Sequence, residues 1–229
     1  RTRKEKMTSI FTWRDGKHNA PCVVLENVLH KEGRENVIKT LKDKTQTGTH
    51  VQGDGTVCET TSEQRDSNVS FFNDVELRRT LRECVDVVNY ETGWQYDIID
   101  CEDLQFTVYD GAKKQHYDWH TDGQGCHKNI RKSVHFHQPK DYNLLYTPQV
   151  NLLGTVRKIS ISGLLNEGYE GGDLMFRWLD EDSNLKEASI KCKAGDLVIF
   201  PSFIDHKVAP VTKGIRYSIV AWFGGPPFK

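Results

Sequence analysis

The sequence predicts a mainly β fold, a sandwich or barrel of strands with helices packed in front of it. From residue 104 onward, apolar and polar residues alternate as they do in half-buried strands. Clusters of Gly and Asp separate the alternating segments and mark turns. Before residue 100, the apolar residues recur at helical spacing. The 229 residues therefore suit one α+β domain, with 1–100 as a supporting region and 101–229 as the β core.

Two helices are predicted in the supporting region, after a short strand at 22–25. The first, 28–41, has apolar residues at helical spacing. The second can be capped by Asn73 or Asp74 and ends before Gly93. Its apolar positions are Leu77, Leu81, Cys84, Val85 and Val88. This stripe is predicted to face the core.

The β core is predicted to contain five alternating strands. They are 104–109, 157–164, 186–191, 197–200 and 215–223. Along the last strand, Arg216, Ser218 and Trp222 share one face, while Tyr217 and Ile219 share the other. One face of that strand therefore carries a charge and a hydroxyl group.

Two segments, 45–66 and 123–156, have little periodicity and are predicted to be long loops. The second contains scattered aromatic residues, and a connection of that length inside a compact domain is often a functional lid. We therefore predict a lid-like insertion there. It also contains four residues that can bind zinc, but their spacing fits a structural zinc site poorly. These residues are Cys126, His127, His135 and His137.

Charge and composition limit the classes of function. The chain has 31 Lys and Arg against 32 Asp and Glu, a net charge of −1, which argues against a nucleic-acid partner. Its longest apolar run, 219–223, is too short to cross a membrane, and no apolar leader core precedes the globular pattern. The six cysteines are dispersed and form no CxxC motif, which predicts reduced thiols in an intracellular, cytoplasmic protein.

Three residues form a candidate metal site. His120 and Asp122 are two positions apart, so on a strand both side chains point to the same face. His206 follows the predicted strand 197–200 and provides a third ligand. Two imidazoles and one carboxylate on one side of a metal leave open positions, as in non-haem Fe(II) sites that react with O2. The His-x-Asp pair alone is a weak signal, because a strand-end His beside a surface Asp has the same pattern.

Arg216 follows His206 by ten residues and lies on the polar face of the last strand. Burying an arginine is costly unless the guanidinium meets an anion. The guanidinium matches a carboxylate and can hold it through two parallel hydrogen bonds. Ser218 can add a hydroxyl donor to the same anion. The alternative is an internal ion pair between Arg216 and an acidic side chain.

These residues together resemble the Fe(II)/2-oxoglutarate-dependent dioxygenases, specifically the prolyl-4-hydroxylase-like branch that includes bacterial and phage PKHD-type hydroxylases. The resemblance covers roughly residues 65–225 and rests on six segments in order. They are 104–109, 117–123, 157–162, 169–174, 195–201 and 216–222. The resemblance implies a double-stranded β-helix, a jelly-roll of cupin-like type, with a metal at one mouth and N-terminal helices beside it.

The resemblance also implies a metal and a reaction. His120, Asp122 and His206 would bind Fe(II) as catalytic residues. Oxidative decarboxylation of 2-oxoglutarate with O2 would yield succinate and CO2 and hydroxylate an unactivated C–H bond, with ascorbate as a supporting reductant. Halogenases of related fold lack the carboxylate ligand, so the presence of Asp122 favours hydroxylation.

The same resemblance implies a binding site for the co-substrate. Arg216 would pair with the distal carboxylate of 2-oxoglutarate, supported by Ser218. Tyr109 would donate a hydrogen bond to the co-substrate, although it lies two residues further from His120 than is usual in the family. Tyr117 is the alternative for this role.

The resemblance favours a prolyl residue of a peptide or protein as the substrate, and a free amino acid or small metabolite is the alternative. An AlkB-type nucleic-acid demethylase is less favoured, because that group carries a second Arg six residues after the first, where this chain has Trp222. A non-catalytic cupin-like protein is disfavoured because all the expected site positions are filled. An origin in a phage, with action in the host cytoplasm, is among the expectations. The oligomeric state is not predicted.

Overall fold

The computed structural model describes residues 7–9, 22–48, 50–51, 57–58, 61–124, 130–132, 150–180 and 182–229. In this part of the chain there are two α-helices, α1 (Lys31–Leu41) and α2 (Val75–Glu91). The strands in the same residues are β1 (Met7–Ser9), β2 (Val23–Leu25), β3 (Gln46–Thr47), β4 (His50–Val51), β5 (Val57–Cys58), β6 (Arg65–Asp66), β7 (Asn68–Phe72), β8 (Asp100–Cys101), β9 (Leu104–Asp110), β10 (His116–His120), β11 (Val156–Leu164), β12 (Glu170–Gly171), β13 (Leu174–Leu179), β14 (Leu185–Ile190), β15 (Leu197–Pro201), β16 (Asp205–Val208), β17 (Val211–Lys213) and β18 (Ile215–Gly225).

Two antiparallel sheets pack face to face. The major sheet has the order β1-β2-β15-β11-β18-β9-β7-β3, with β8 also paired to β18. The minor sheet has the order β14-β13-β16-β10-β6. Buried side chains from both sheets, including Phe200 of the major sheet and Phe176 of the minor sheet, form one cluster between them. The predicted β core with helices outside it is therefore present.

The outer face of the major sheet is covered by the helices. Leu81, Val85 and Val88 of α2 pack in one hydrophobic cluster with Phe106 and Ile161 of the sheet. This confirms the predicted apolar stripe of α2. The cap is the second of the two predicted candidates, because the side chain of Asp74 accepts a hydrogen bond from the Leu77 amide at 3.0 Å.

The first helix begins three residues later than predicted. The amides of Val28 and Leu29 both donate to the carbonyl of Gly195 at 2.9 Å, so the turn before β15 holds these residues out of the helix. His30 has extended backbone angles and occupies the N-cap. Tertiary contacts thus override the apolar pattern at this end of the helix.

The inner face of the major sheet is unusually polar. Gln105 and Thr107 of β9, Ser160 of β11, and Arg216 and Ser218 of β18 are all buried between the sheets. The adjacent residues of the same strands point to the helices, as the alternation predicts. A buried polar surface of this kind indicates a functional site between the sheets.

The space between the sheets has two ends. At the closed end, three turns meet, 111–115, 168–173 and 209–214, and the Gly111 amide donates to the Gly214 carbonyl at 2.8 Å. At the open end, β10 finishes at His120 and the Ser202 carbonyl accepts a hydrogen bond from the Asp122 amide at 2.9 Å.

Of the two predicted loops, one is corrected by the structure and the other stays a prediction. Segment 45–66 contains β3, which belongs to the major sheet, and β6, which belongs to the minor sheet, so its interpretation as one long loop is wrong. Strands of two residues are too short to show a period in the sequence. Most of the predicted lid, 123–156, lies outside the described residues, as do Cys126, His127, His135 and His137.

The side chains of four cysteines are described, Cys22, Cys84, Cys101 and Cys192, and none of these four is in a disulfide. Among the described residues, no helix has the length and apolar character needed to cross a membrane.

Candidate active site

The three predicted metal ligands converge at the open end. His120 and His206 are register partners on the neighbouring strands β10 and β16, and Asp122 follows two residues after His120. Candidate ligand atoms of these three residues lie within 4.8 Å of one another. Asp122 Oδ1 is 3.8 Å from His120 Nε2, and Asp122 Oδ2 is 3.6 Å from His206 Nε2. One ion can therefore contact all three side chains.

Both imidazoles are oriented by the same kind of local hydrogen bond. His120 Nδ1 lies 2.7 Å from the carbonyl oxygen of Asp118, and His206 Nδ1 lies 2.9 Å from that of Ile204. With Nδ1–H donating to a carbonyl two residues earlier, Nε2 of each ring carries the lone pair and is free to bind an ion shared with Asp122. Asp118 thus acts through its backbone, and its carboxylate is not needed for this role.

Asp122 is held by both its backbone and its carboxylate. Its amide and that of Gly123 donate to the Ser202 carbonyl at 2.9 and 3.0 Å. Burial alone would raise the pKa of Asp122, but His206, His120, Arg157 and a hydrogen bond from Ser160 lower it to about 2. The carboxylate is therefore ionised and available to a cation at neutral pH.

Aromatic rings surround the two imidazoles. The Tyr117 ring stacks on His120 at a centroid distance of 3.5 Å, and Phe200 lies 4.7 Å from the His206 ring. Burial, together with the neighbouring His206, lowers the pKa of His120 well below 6.5. The imidazole of His120 is therefore neutral near pH 7, as a metal ligand must be.

These shifts predict how the stability of the metal-free protein depends on pH. Because the pKa of His120 is lower in the folded state, the unfolded chain binds more protons below about pH 6.5, and stability falls as the pH decreases. The lowered pKa of Asp122 adds a further loss as the pH falls from about 4 toward 2. Urea unfolding at pH 7.0 and 5.5 should show lower stability at pH 5.5. The decrease should be smaller in His120→Ala, and an equal decrease in both proteins would contradict the shift.

Arg216 lies further from the open end than the three candidate metal ligands do. Its surroundings suit the binding of an anion. It is 4% exposed, and its Nη1 donates to Ser218 Oγ at 3.0 Å. Its buried Nε has no hydrogen-bond partner in the described part of the chain. Within the same residues, no salt bridge joins Arg216 to a carboxylate within 4 Å, although Arg216 is, after Lys191, among the charges that lower the pKa of Asp173. A buried guanidinium with a spare donor is suited to a carboxylate ligand.

Tyr109 and Tyr117 occupy different parts of this space. Tyr109 is the register partner of Arg216, and Arg216 Cζ lies 5.6 Å from the centre of its ring. Tyr117 instead stacks on His120. The turn 111–114 lies between the two tyrosines, and Lys114 in it adopts a left-handed backbone conformation. The positions favour Tyr109 for contact with a co-substrate held by Arg216.

A buried ion network beneath the open end was not predicted. Glu102 accepts two hydrogen bonds from Arg157, at 2.7 and 2.8 Å, and also pairs with Arg131. Arg157 in turn lies over the Trp222 ring at 4.1 Å, and its Nη1 approaches the Asp122 carbonyl at 3.4 Å. Trp222 therefore packs against Arg157, whose guanidinium reaches the backbone of Asp122.

A second arginine that sequence reasoning missed is Arg65 on β6. It is 6% exposed, its Nε donates to Ser67 Oγ at 2.9 Å, and its Cζ lies 4.5 Å from the centre of the Tyr117 ring. A two-residue strand inside a polar segment gives no periodic signal, so the sequence contained no indication of its burial.

Comparison with known proteins now identifies the family. Residues 104–224, more than half of the chain, match the 2OG-Fe(II) oxygenase superfamily. The chain belongs to this superfamily. The matched range includes every residue predicted to bind the metal or the co-substrate. The predicted resemblance and the class of enzyme are thus confirmed.

Individual relatives match over shorter segments or at lower identity. A PKHD-type hydroxylase of Alteromonas mediterranea is 41% identical over 56 residues, which are 24% of this chain and 23% of that protein. A prolyl-4-hydroxylase of Pseudomonas putida has a TM-score of 0.58 at 17% identity, covering 89% of this chain and 91% of the other. A Trichoplax adhaerens prolyl hydroxylase, in complex with a hypoxia inducible factor peptide fragment, has the same score and identity and covers 89% and 83%. These structures confirm the double-stranded β-helix fold.

Membership of the superfamily implies Fe(II) and 2-oxoglutarate, and the residues present suit both. Two imidazoles and an ionised carboxylate are a donor set for Fe(II). Arg216 and Ser218 offer donors to a carboxylate further inside. When bound, the metal and the 2-oxo acid supply the activation of O2 that the amino-acid side chains lack.

Proposed function

We propose that this protein is an Fe(II)- and 2-oxoglutarate-dependent dioxygenase that hydroxylates a prolyl residue of a peptide or protein. The observation that carries the proposal is the convergence of His120, Asp122 and His206 at the open end, with the anion-binding Arg216 deeper in the same space. The similarity to PKHD-type hydroxylases and to a prolyl hydroxylase in complex with a peptide fragment supports the prolyl substrate.

In this proposal the residues of the chain position the reactants and exclude water. His120, Asp122 and His206 hold Fe(II), and Arg216 and Ser218 bind the distal carboxylate of 2-oxoglutarate. The buried phenol of Tyr109, whose pKa is raised by burial, stays protonated and can donate a hydrogen bond to the co-substrate. Fixing two reactants in one geometry is itself a large part of catalysis.

The experiment is the release of succinate and CO2 with Fe(II), 2-oxoglutarate and O2, measured with and without ascorbate. Substrates are a panel of proline-containing peptides, free proline and other free amino acids, and mass spectrometry detects a gain of one oxygen. Hydroxylation of a peptide but not of free proline supports the proposal. Hydroxylation of free amino acids alone would support the second candidate, the same chemistry on a small metabolite. No succinate above the metal-free control would refute both.

Arg216→Lys is expected to raise the 2-oxoglutarate KM about tenfold or more, with a smaller effect on kcat. Lysine keeps the charge but cannot form two parallel hydrogen bonds, and one hydrogen bond to a charged group is worth about 1.5–3 kcal/mol. Steady-state kinetics at varied 2-oxoglutarate measure the effect. Arg79→Lys, on the exposed face of α2, is the matched control. An unchanged KM in Arg216→Lys would exclude Arg216 from the co-substrate site.

A further inference from the structure

A cluster of aromatic rings lies at the open end of the space between the sheets. It consists of Tyr96, Phe203 and Phe228 and is called the aromatic patch below. The rings meet edge to face, with centroids 5.3 Å apart for Tyr96 and Phe228, 6.5 Å for Tyr96 and Phe203, and 6.0 Å for Phe203 and Phe228. Phe203 is 40% exposed and Phe228 is 37% exposed, so two of the three rings present apolar surface to solvent.

The aromatic patch is joined to the candidate metal site by the loop that connects β15 to β16. Phe203 comes three residues before His206, and the carbonyl of the adjacent Ser202 accepts a hydrogen bond from the Asp122 amide at 2.9 Å. Three residues of chain span at most about 11 Å, so the backbone of Phe203 lies within that distance of the backbone of His206. A peptide bound at the metal site can therefore reach the patch with a residue about three or four positions from the reacting one.

Polar contacts hold the aromatic patch in place. The amide of Tyr96 donates to Oδ1 of Asn89 on α2, and the side-chain amide of Asn89 donates to the Tyr96 carbonyl, both at 2.9 Å. Lys158 Nζ lies 3.2 Å from the centre of the Phe228 ring, and the Lys158 carbonyl accepts a hydrogen bond from the Ser202 amide at 2.9 Å. The rings are thus preorganised, and a ligand that binds on them does not have to immobilise them.

The chemistry of the aromatic patch suits a proline ring. Proline is apolar and rigid and has no backbone N–H, and aromatic-lined surfaces bind proline-rich segments. Lys158, which contacts Phe228, is 3% exposed, so the patch offers aromatic surface to a ligand and little charge. Two partly exposed rings provide only a small part of the roughly 1,200–2,000 Å² that a stable protein–protein interface buries, whereas they match one side chain of a peptide.

We propose that the aromatic patch binds a second proline residue of the substrate, about three or four positions from the proline that is hydroxylated. This inference rests on the proposed function, because it assumes that a peptide is bound at the metal site. The patch then determines substrate choice, and peptides with two prolines at this spacing are preferred to peptides with one.

The test starts from a hydroxylated peptide with a single proline. A second proline is introduced three or four positions before or after the first, and the same peptides with alanine there are the reference. Fragment mass spectrometry measures KM and kcat for hydroxylation at the original proline. In the wild type the second proline should lower KM about tenfold at one of these positions, because its ring packs on aromatic rings, with kcat changed less than about twofold. In Phe228→Ala and in Phe203→Ala the preference should fall to about twofold or less.

Tyr90→Ala is the matched control, because Tyr90 is 76% exposed on α2, and it should keep the wild-type preference. Phe228 follows β18, so Phe228→Ala should leave both sheets intact. An equal KM for the proline and alanine peptides in the wild type, or the wild-type preference in both variants, overturns the inference while the proposed function stands. A wild-type dimer that Phe228→Ala makes monomeric would assign the patch to a second copy of the chain and also overturn it. If the wild type hydroxylates none of the peptides, the proposed function fails and the inference fails with it.

Discussion

His206→Ala should abolish Fe(II) binding at micromolar metal and lower turnover at least about a hundredfold. Replacing even a residue that only orients a metal ligand typically costs about 10–100-fold in affinity or activity, and His206 supplies a ligand atom itself. The remaining pair, His120 and Asp122, leaves one side of the ion without a protein donor. Calorimetric titration with Fe(II) under anaerobic conditions and the succinate assay measure the two effects separately.

His30→Ala is the matched control for this variant, since His30 is an exposed residue that only precedes α1. It should bind Fe(II) and turn over as the wild type does. Metal-free His206→Ala should still unfold in one cooperative transition, at a midpoint lowered by the loss of its buried ring, which separates loss of the ligand from loss of the fold. Full turnover in His206→Ala would show that the ligand assignment is wrong.

Glu102→Ala should destabilise the protein by about 3–5 kcal/mol, the loss typical of removing one partner from a buried ion pair. The variant leaves the guanidinium groups of Arg157 and Arg131 buried without their shared carboxylate. The pKa of Glu102 is lowered to about 2 because these two arginines outweigh its burial, so the carboxylate is ionised at neutral pH. Equilibrium unfolding in urea at pH 7 measures the loss.

Glu83→Ala provides the comparison, because Glu83 lies on the exposed face of α2. Its effect should stay within about 0.5 kcal/mol, as is usual for surface positions. Glu102→Gln should lose less than Glu102→Ala, since the amide oxygen still accepts a hydrogen bond from one arginine. Similar losses in Glu83→Ala and Glu102→Ala would show that the buried network contributes little to stability.

Two of the three candidate metal ligands and the candidate anion site could be predicted because their signals are local. His120 and Asp122 are two residues apart, as are Arg216 and Ser218, and strand geometry places each pair on one face. The contacts of Glu102 with Arg157 are different, since 55 residues separate them in the sequence. No periodicity links such residues, and only the folded sheet brings them together.

The errors in the fold prediction have a similar origin. Strand β13, Leu174–Leu179, was not predicted because five of its six residues are apolar or aromatic, so no polar residue marks a period of two. The start of α1 was placed too early because Val28 and Leu29 are apolar for another reason, their packing in the core beside the turn before β15. Apolar character indicates that a residue is buried. It does not by itself show whether the residue lies in a helix, a strand or a turn.

The two faces of the major sheet differ in composition. The face beneath the helices serves stability, and the face between the sheets serves the proposed reaction. Leucine, isoleucine and phenylalanine side chains pack beneath the helices, whereas serine, threonine and arginine side chains face the space between the sheets. Repacking the helical side can therefore shift the melting temperature while leaving the reaction chamber intact. Selection for heat tolerance and selection for a new substrate would act on different sets of residues in the same strands.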